Sequence, residues 1–285
     1  MKIKKNNILK SLNENGYFII KNFFNSHEKK KLLDFTDSFS KSLIEQWIVQ
    51  NEYKLNIKKK NIRKKIIYYY DFFNKPEYRR NPQKNCANKQ FFELINIKKF
   101  INFHKIIESN NWYFSFIKNL RFKSTSLPWT TSKWHCDRFT FRDYNNSNMK
   151  FLIFWIPLQN INKKTGSGIK LVSKKTFSFH DLSNSLKKNI RDKNFFLLDK
   201  NKYSKKFKNN TIEPSLKFGD LLIFDSNIIH KTGSVISKKP IWNMDIRFEY
   251  GKKINYETIL GGFNMRLKSK TKYNKLIKSA NLNII

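Results

Sequence analysis

The segment FGDLLIFDSNIIHKTG, Phe218–Gly233, decides how the fold is read. A Gly-Asp turn feeds a run of large apolar residues, Leu221–Phe224. A second turn follows, and a short strand, Ile228–Lys231, carries His230. Apolar runs of four residues bounded by Gly, Asp and Asn are too short for helices and fit strands. The same texture extends upstream to about Asn119. It predicts strands at Leu120–Thr125, Trp134–Phe139, Lys150–Leu158 and Ile169–Val172, and downstream at Trp242–Tyr250. Turn signals separate them at Tyr144–Asn148, Thr165–Gly168, Gly219–Asp220 and Gly233–Ser234. Many short strands with no helix between them predict a sandwich or jelly roll. The Lys/Asn-rich stretch Leu186–Asn210 breaks the pattern and reads as a long insertion.

The first third has a different texture. A short helix around Ile8–Asn13 ends at Gly16, and Tyr17–Ile20 (YFII) has the aromatic and β-branched residues of a strand. Asn25 with Glu28 three residues on forms a capping box that opens a longer helix. Leu32, Phe35, Phe39, Leu43 and Trp47 give that helix one apolar face. From Asn51 to Ser109 charged and aromatic residues alternate, which reads as more helix and loop without a period that places the elements. The organisation expected is one domain over 1–285: a mainly helical part, 1–118; a jelly-roll core, 119–251, containing the insertion at 186–210; and a C-terminal tail, 252–285. The fold class is therefore mainly β with flanking α.

A chain of 285 residues with 39% hydrophobic and 16% aromatic content can bury a substantial core. No apolar run approaches the roughly 18 residues of a membrane helix. The N-terminus has positive charge but no apolar segment of a signal peptide. Two cysteines, Cys86 and Cys136, are too few for a disulfide framework. These features predict a soluble, cytoplasmic protein. The net charge of +37 invites a nucleic-acid reading, but only 9 of the 58 basic residues are arginine. The lysines are spread along the chain among asparagine, isoleucine and phenylalanine, the residues that A/T-rich codons specify. Dispersed lysine gives non-specific, salt-sensitive attraction rather than sequence recognition. The densest run, Lys54–Lys65, reads either as a basic patch or as a solvated helix face.

The chemistry lies in WHCDRF, Trp134–Phe139. On a strand His135 and Asp137 share a face, and Cys136 points to the other. His230 stands 93 positions beyond Asp137, so only the fold can bring the three together. Two imidazoles and one carboxylate on one face of a metal make the facial triad of non-haem Fe(II) oxygenases, which leaves the other face open. Zinc takes the same ligand types.

At these residues the sequence resembles the phytanoyl-CoA dioxygenase-like Fe(II)/2-oxoglutarate oxygenases. NGYFIIKNFFNSHE is similar to the family's opening, and LRFKSTSLPWTTSKWHCDRF to its co-substrate strand and His-x-Asp motif. FLIFWIPLQNINKKTGSGIKLV is similar to the central strand pair, and GDLLIFDSNIIHKTG to the distal histidine strand. Each piece is weak alone; their order carries the resemblance.

The resemblance implies a double-stranded β-helix (cupin-like jelly roll) with His135, Asp137 and His230 on iron, and 2-oxoglutarate as co-substrate. The co-substrate contacts map to Lys123, Trp155 and Thr232. The family usually places an arginine eleven residues after the distal histidine, where this chain has Ile241; Arg247, seventeen residues after it, is the nearest replacement. The alternative for Arg247 is an ion pair with Asp245, two residues away on the same face of the strand. Relatives often have Pro-Gly-Ser-His in the loop where this chain has Val172-Ser173-Lys174-Lys175. Related halogenases carry a small residue where Asp137 stands, so the carboxylate favours hydroxylation. The partners implied are a small-molecule substrate and dioxygen, with no specific nucleic acid and no membrane. Two other classes remain: a basic protein that binds or modifies nucleic acid, and a metal-binding jelly roll without catalysis. Trp129, Trp134, Phe139 and Phe141 would supply an aromatic surround.

Overall fold

Strict alternation along two central strands sets the layers. The computed structural model describes residues 5–50, 61–73, 93–94, 98–107, 112–115, 120–126, 131–132, 134–137, 150–162, 164–166, 168–176, 210–250 and 262–264. Within them lie helices α1 (Lys5–Glu14), α2 (Ser26–Gln50), α3 (Ile62–Phe73) and α4 (Lys98–Ile107). The strands are β1 (Tyr17–Ile20), β2 (Trp112–Ser115), β3 (Leu120–Lys123), β4 (His135–Cys136), β5 (Lys150–Pro157) and β6 (Ile169–Val172). They continue with β7 (Thr211–Ile212), β8 (Leu221–Asp225), β9 (Ile229–Thr232), β10 (Ile241–Tyr250) and β11 (Gly262–Asn264).

The larger sheet runs β1-β8-β5-β10-β2-β11, with β3 also paired to β10; the smaller runs β4-β9-β6-β7. Strand β10 is the longest, and its outer edge takes β3 on its first half and β2 on its second. Leu152, Phe154 and Ile156 of β5, with Trp242, Met244, Ile246 and Phe248 of β10, face the helices. There they meet Leu32, Phe35, Ile44 and Trp47 of α2 and Phe100 of α4. The alternate residues Phe151, Ile153 and Trp155 face the second sheet and pack with Ile169, Leu171, Leu222 and Phe224. A sheet covered on both faces needs apolar side chains at nearly every position, which is why these strands read as continuous hydrophobic runs.

The helical entry follows the residues that encode it. Asn25 N–H donates to Glu28 Oε2 (2.8 Å) and Glu28 N–H to Asn25 Oδ1 (2.9 Å), a closed capping box. A cap of this kind contributes about 1 kcal/mol. Gly16 lies at φ +80°, where a Cβ would meet Ile228, so glycine turns α1 into β1.

Two expectations change. The strand predicted at Trp134–Phe139 is only two residues long, and Asp137 stands past its end in helical backbone. The region from Asn51, read as more helix and loop, does contain helices, α3 and α4, whose positions no clean period announced. Strands β2, β7 and β11 were not foreseen; two of them flank one another and β7 has two residues. Most of the insertion at 186–210 and of the tail, and Trp129, Phe139 and Phe141, lie outside the described residues.

Candidate metal centre

Pairing of β4 with β9 places His135 directly opposite His230. Both imidazoles therefore project to the same side of the smaller sheet, with ring centroids 4.2 Å apart. Asp137, one residue beyond the strand, turns its carboxylate onto them: Oδ1 lies 3.4 Å from His135 Nε2 and 3.5 Å from His230 Nε2. One ligand atom from each residue falls within 4.8 Å of the others, and all three side chains are largely withdrawn from water. The three residues predicted from sequence are thus brought together by strands far apart along the chain. Cys136 points away, with its thiol on Ser226 O at 3.0 Å.

The electrostatics suit a cation. His230 Nδ1 lies 3.0 Å from Ile228 O; a carbonyl only accepts, so Nδ1 carries the proton and Nε2 presents a lone pair. Burial, aided by His135 and opposed by Asp137, pushes His230 down to about 3, so the ring is neutral at ordinary pH. Burial alone would raise the Asp137 carboxyl, but Arg247 and the two imidazoles outweigh it and hold it well below the usual carboxylate range. An anionic Oδ1 thus faces a bare Nε2 at 3.5 Å with no proton between them. A divalent metal held between them would resolve that contact, and the hydrogen bond to Ile228 fixes the tautomer such a ligand needs.

The sign of the pH dependence follows. In the unfolded chain His230 protonates near 6.5, whereas the folded chain refuses the proton until about 3. Asp137, depressed in the folded state, contributes stability above its unfolded value that is lost as pH falls. Both groups make the unfolded state bind more protons, so the metal-free protein should lose stability on acidification below about pH 6.5. Denaturation midpoints of metal-free protein across that range check this, and His230→Gln should flatten the slope. A flat wild-type profile would contradict the assignment of a neutral His230.

Opposite the triad, β10 and β3 present a polar strip to the inter-sheet cavity. Asn243, Asp245 and Arg247 occupy every second position of β10, and Arg121 and Lys123 do the same on β3. Arg247 directs Nε (2.9 Å) and Nη2 (2.6 Å) to Asp137 Oδ2. Asp245, weighed from sequence as the partner of Arg247, instead takes Arg121 Nε at 2.8 Å and Asn243 Nδ2 at 2.6 Å. The Arg121 contact is an ion pair by distance without good hydrogen-bond alignment. Lys123 donates from Nζ to Gly168 O at 2.6 Å and lies over the Trp155 ring, 5.6 Å from its centroid. A Cβ on Gly168 would run into that ring, so glycine permits the close approach. Thr232 Oγ1 accepts from Ser132 N–H at 2.8 Å, which clasps the chain before His135 to β9. Lys123, Trp155, Thr232 and Arg247, all singled out in the sequence, line one cavity with Asp137 and His230. Arg121, Asn243 and Ser132 line it as well and were missed, as does Asp245, read from sequence only as an ion-pair partner of Arg247. The period-2 polar series on an otherwise buried strand was the available signal for the β10 residues; nothing local marks Ser132.

The family model for phytanoyl-CoA dioxygenase (PhyH) matches residues 12–241. No curated protein matches the chain in sequence. Among solved structures, the non-haem monooxygenase ThoJ in its apo form aligns with a TM-score of 0.54 at 7% identity, covering 96% of this chain and 93% of that one. The ThoJ–Ni complex aligns at 0.54 and 8%, covering 96% and 94%. EctD from S. alaskensis, with 2-oxoglutarate and 5-hydroxyectoine, aligns at 0.52 and 12%, covering 86% and 76%. At such identities the likeness is one of fold, a jelly-roll sheet pair with helices at the N-terminal end.

Proposed function

The chain belongs to the phytanoyl-CoA dioxygenase family of Fe(II)- and 2-oxoglutarate-dependent oxygenases, and we propose that it hydroxylates a small organic molecule at an iron held by His135, Asp137 and His230. The observation that carries the reading is Asp137 Oδ1 facing both Nε2 atoms, with His230 held in the tautomer that offers its lone pair. Three donors on one side leave room on the other for a two-atom chelate and a gas molecule. When bound, the metal and 2-oxoglutarate supply oxygen activation, with the keto acid oxidised to succinate and carbon dioxide.

The chain's own residues bind, orient and exclude water. Phe224 sets its ring edge-to-face on His230, 5.0 Å between centroids, and closes the apolar side of the site. The Ser132–Thr232 clasp holds the approach to His135 on β9. Co-substrate binding falls to Lys123, Trp155, Thr232 and Arg247. Of the two cations, Arg247 has two donors on Asp137, which favours Lys123 as the anchor of the distal carboxylate. Register supports that choice: Lys123 pairs with Ile241, the position where the family usually carries arginine. The missing cation is thus supplied from the neighbouring strand.

The substrate side is a small molecule with dioxygen, in a single oxygenase domain spanning 1–285. A cytoplasmic setting belongs to the same proposal; among the described residues no helix is long and apolar enough to cross a membrane. The test is succinate release from 2-oxoglutarate with Fe(II), screened against metabolite extracts for stimulation. A folded, iron-loaded protein that never releases succinate would make this a metal-binding module without catalysis.

A further inference from the structure

We propose that Arg247 is a positioning residue for the metal centre: it holds Asp137 Oδ2 away from the metal so that the carboxylate ligates through Oδ1 alone. The inference rests on the metal reading of His135, Asp137 and His230. Its basis is how the two oxygens of one carboxylate divide their partners. Oδ2 takes Arg247 Nε at 2.9 Å and Nη2 at 2.6 Å, whereas Oδ1 takes neither and faces the two imidazoles.

The residue doing the holding sits in a strand paired on both edges. Arg247 lies on β10, in register with Ile153 of β5 on one edge and Ser115 of β2 on the other. Its neighbours Ile246 and Phe248 are buried on the opposite face, against the helices. Asp137 lies just past β4, whose pairing with β9 ends at Cys136. Two N–H donors converging on one oxygen, from a planar group that stays charged, fix the orientation of a carboxylate. Both side chains are 3% exposed, so water does not compete for the contact.

The consequence concerns the number of open positions. A six-coordinate metal with three protein donors keeps three sites, enough for a keto-acid chelate and dioxygen. A carboxylate swinging to bind through both oxygens would take one of them. By engaging Oδ2, Arg247 prevents that swing and keeps the third site free. The same contact neutralises Asp137 in the metal-free chain, so that the pocket tolerates the carboxylate before metal arrives.

The experiment uses Co(II) added to the metal-free full-length protein, read by visible absorption for geometry and by titration for affinity. Arg247→Met should weaken Co(II) binding about tenfold or more, the range for loss of an outer-shell partner, and should alter the Co(II) bands as the carboxylate changes mode. Arg247→Lys restores charge but not the double contact and should fall between the two. A residue that merely supports the fold would lower the denaturation midpoint and leave affinity and bands unchanged in the folded fraction; that outcome overturns the proposal. Should Arg247→Met not fold, Arg247→Lys is read the same way. Independently of any variant, a crystal structure of the Co(II)-loaded wild type should show one Asp137 oxygen on the metal and the other on Arg247, and two oxygens on the metal would also overturn it. His135→Ala separates the two failures: if it still binds Co(II) normally, the triad itself is wrong, whereas loss there with unaffected Arg247 variants refutes this inference alone.

Discussion

Alanine at His135, Asp137 or His230 is expected to abolish Fe(II) binding, and with it 2-oxoglutarate turnover, in three variants that differ in stability. Each removes one of three donors that lie within 4.8 Å of one another. Losing a direct ligand should exceed the 10–100-fold that loss of an outer partner costs. The stability order follows from what each variant leaves behind. His135→Ala keeps the Arg247–Asp137 pair intact. Asp137→Ala removes the carboxylate that takes two donors of a buried guanidinium, and breaking a buried pair from one side costs about 3–5 kcal/mol. Asp137→Ala should therefore melt lowest of the three in metal-free buffer, and Asp137→Asn, which keeps an oxygen for Arg247, should recover part of the loss without restoring iron. Metal analysis of purified protein and thermal midpoints check both halves. Iron retained by two of the three alanine variants would end the triad assignment.

What could be read from the residues is what local pattern encodes. The Asn25–Glu28 box, the YFII strand and the apolar face from Leu32 to Trp47 depend on neighbours within one or two turns, and they stand where the pattern put them. Strands β5, β8 and β10 announced themselves because each side of the larger sheet is covered, and β6 because its inward residues pack against that sheet. The triad was legible as three residue types in the right order, although the strand meant to carry Asp137 stops short of it. Partners across the sheets were not legible. Arg247 and Asp137 are 110 residues apart, and no period in the sequence connects them. From the chain alone Asp245 is the nearer carboxylate, but Arg121 and Asn243 occupy it. Arg121 stands two residues before Lys123, on the same strand face, yet only Lys123 was selected, because the family resemblance marked that position alone. The short strands had no signal, since two residues of β7 have no periodicity to read.

Lys123→Met is expected to raise the 2-oxoglutarate concentration needed for half-saturation at least tenfold while Fe(II) or Co(II) affinity stays near wild type. Lys123 is 4% exposed, and its ammonium has one carbonyl partner, Gly168 O, and the face of Trp155. A buried carboxylate left without a cation is costly, and one charge-assisted hydrogen bond is worth roughly 1.5–3 kcal/mol, about ten- to a hundredfold in affinity. Burial, with Arg121 adding to it and Asp245 opposing, draws Lys123 down to about 7. In the co-substrate-free protein the ammonium is therefore already losing its proton near neutrality, and an arriving carboxylate must draw one in. Binding coupled to proton uptake weakens as pH rises, so wild-type affinity should fall above about pH 7, with a limiting slope of tenfold per unit. The variant has nothing to titrate there, and its affinity should be low and independent of pH over the same interval. Stability should change little, because loss of the buried cation offsets loss of the bond to Gly168 O. This pattern separates two of the cations that line the cavity: Arg247 variants should disturb the metal, and Lys123 variants the keto acid. Half-saturation that stays at the wild-type value, with the wild-type pH slope, would remove Lys123 from the co-substrate site and return that role to Arg247.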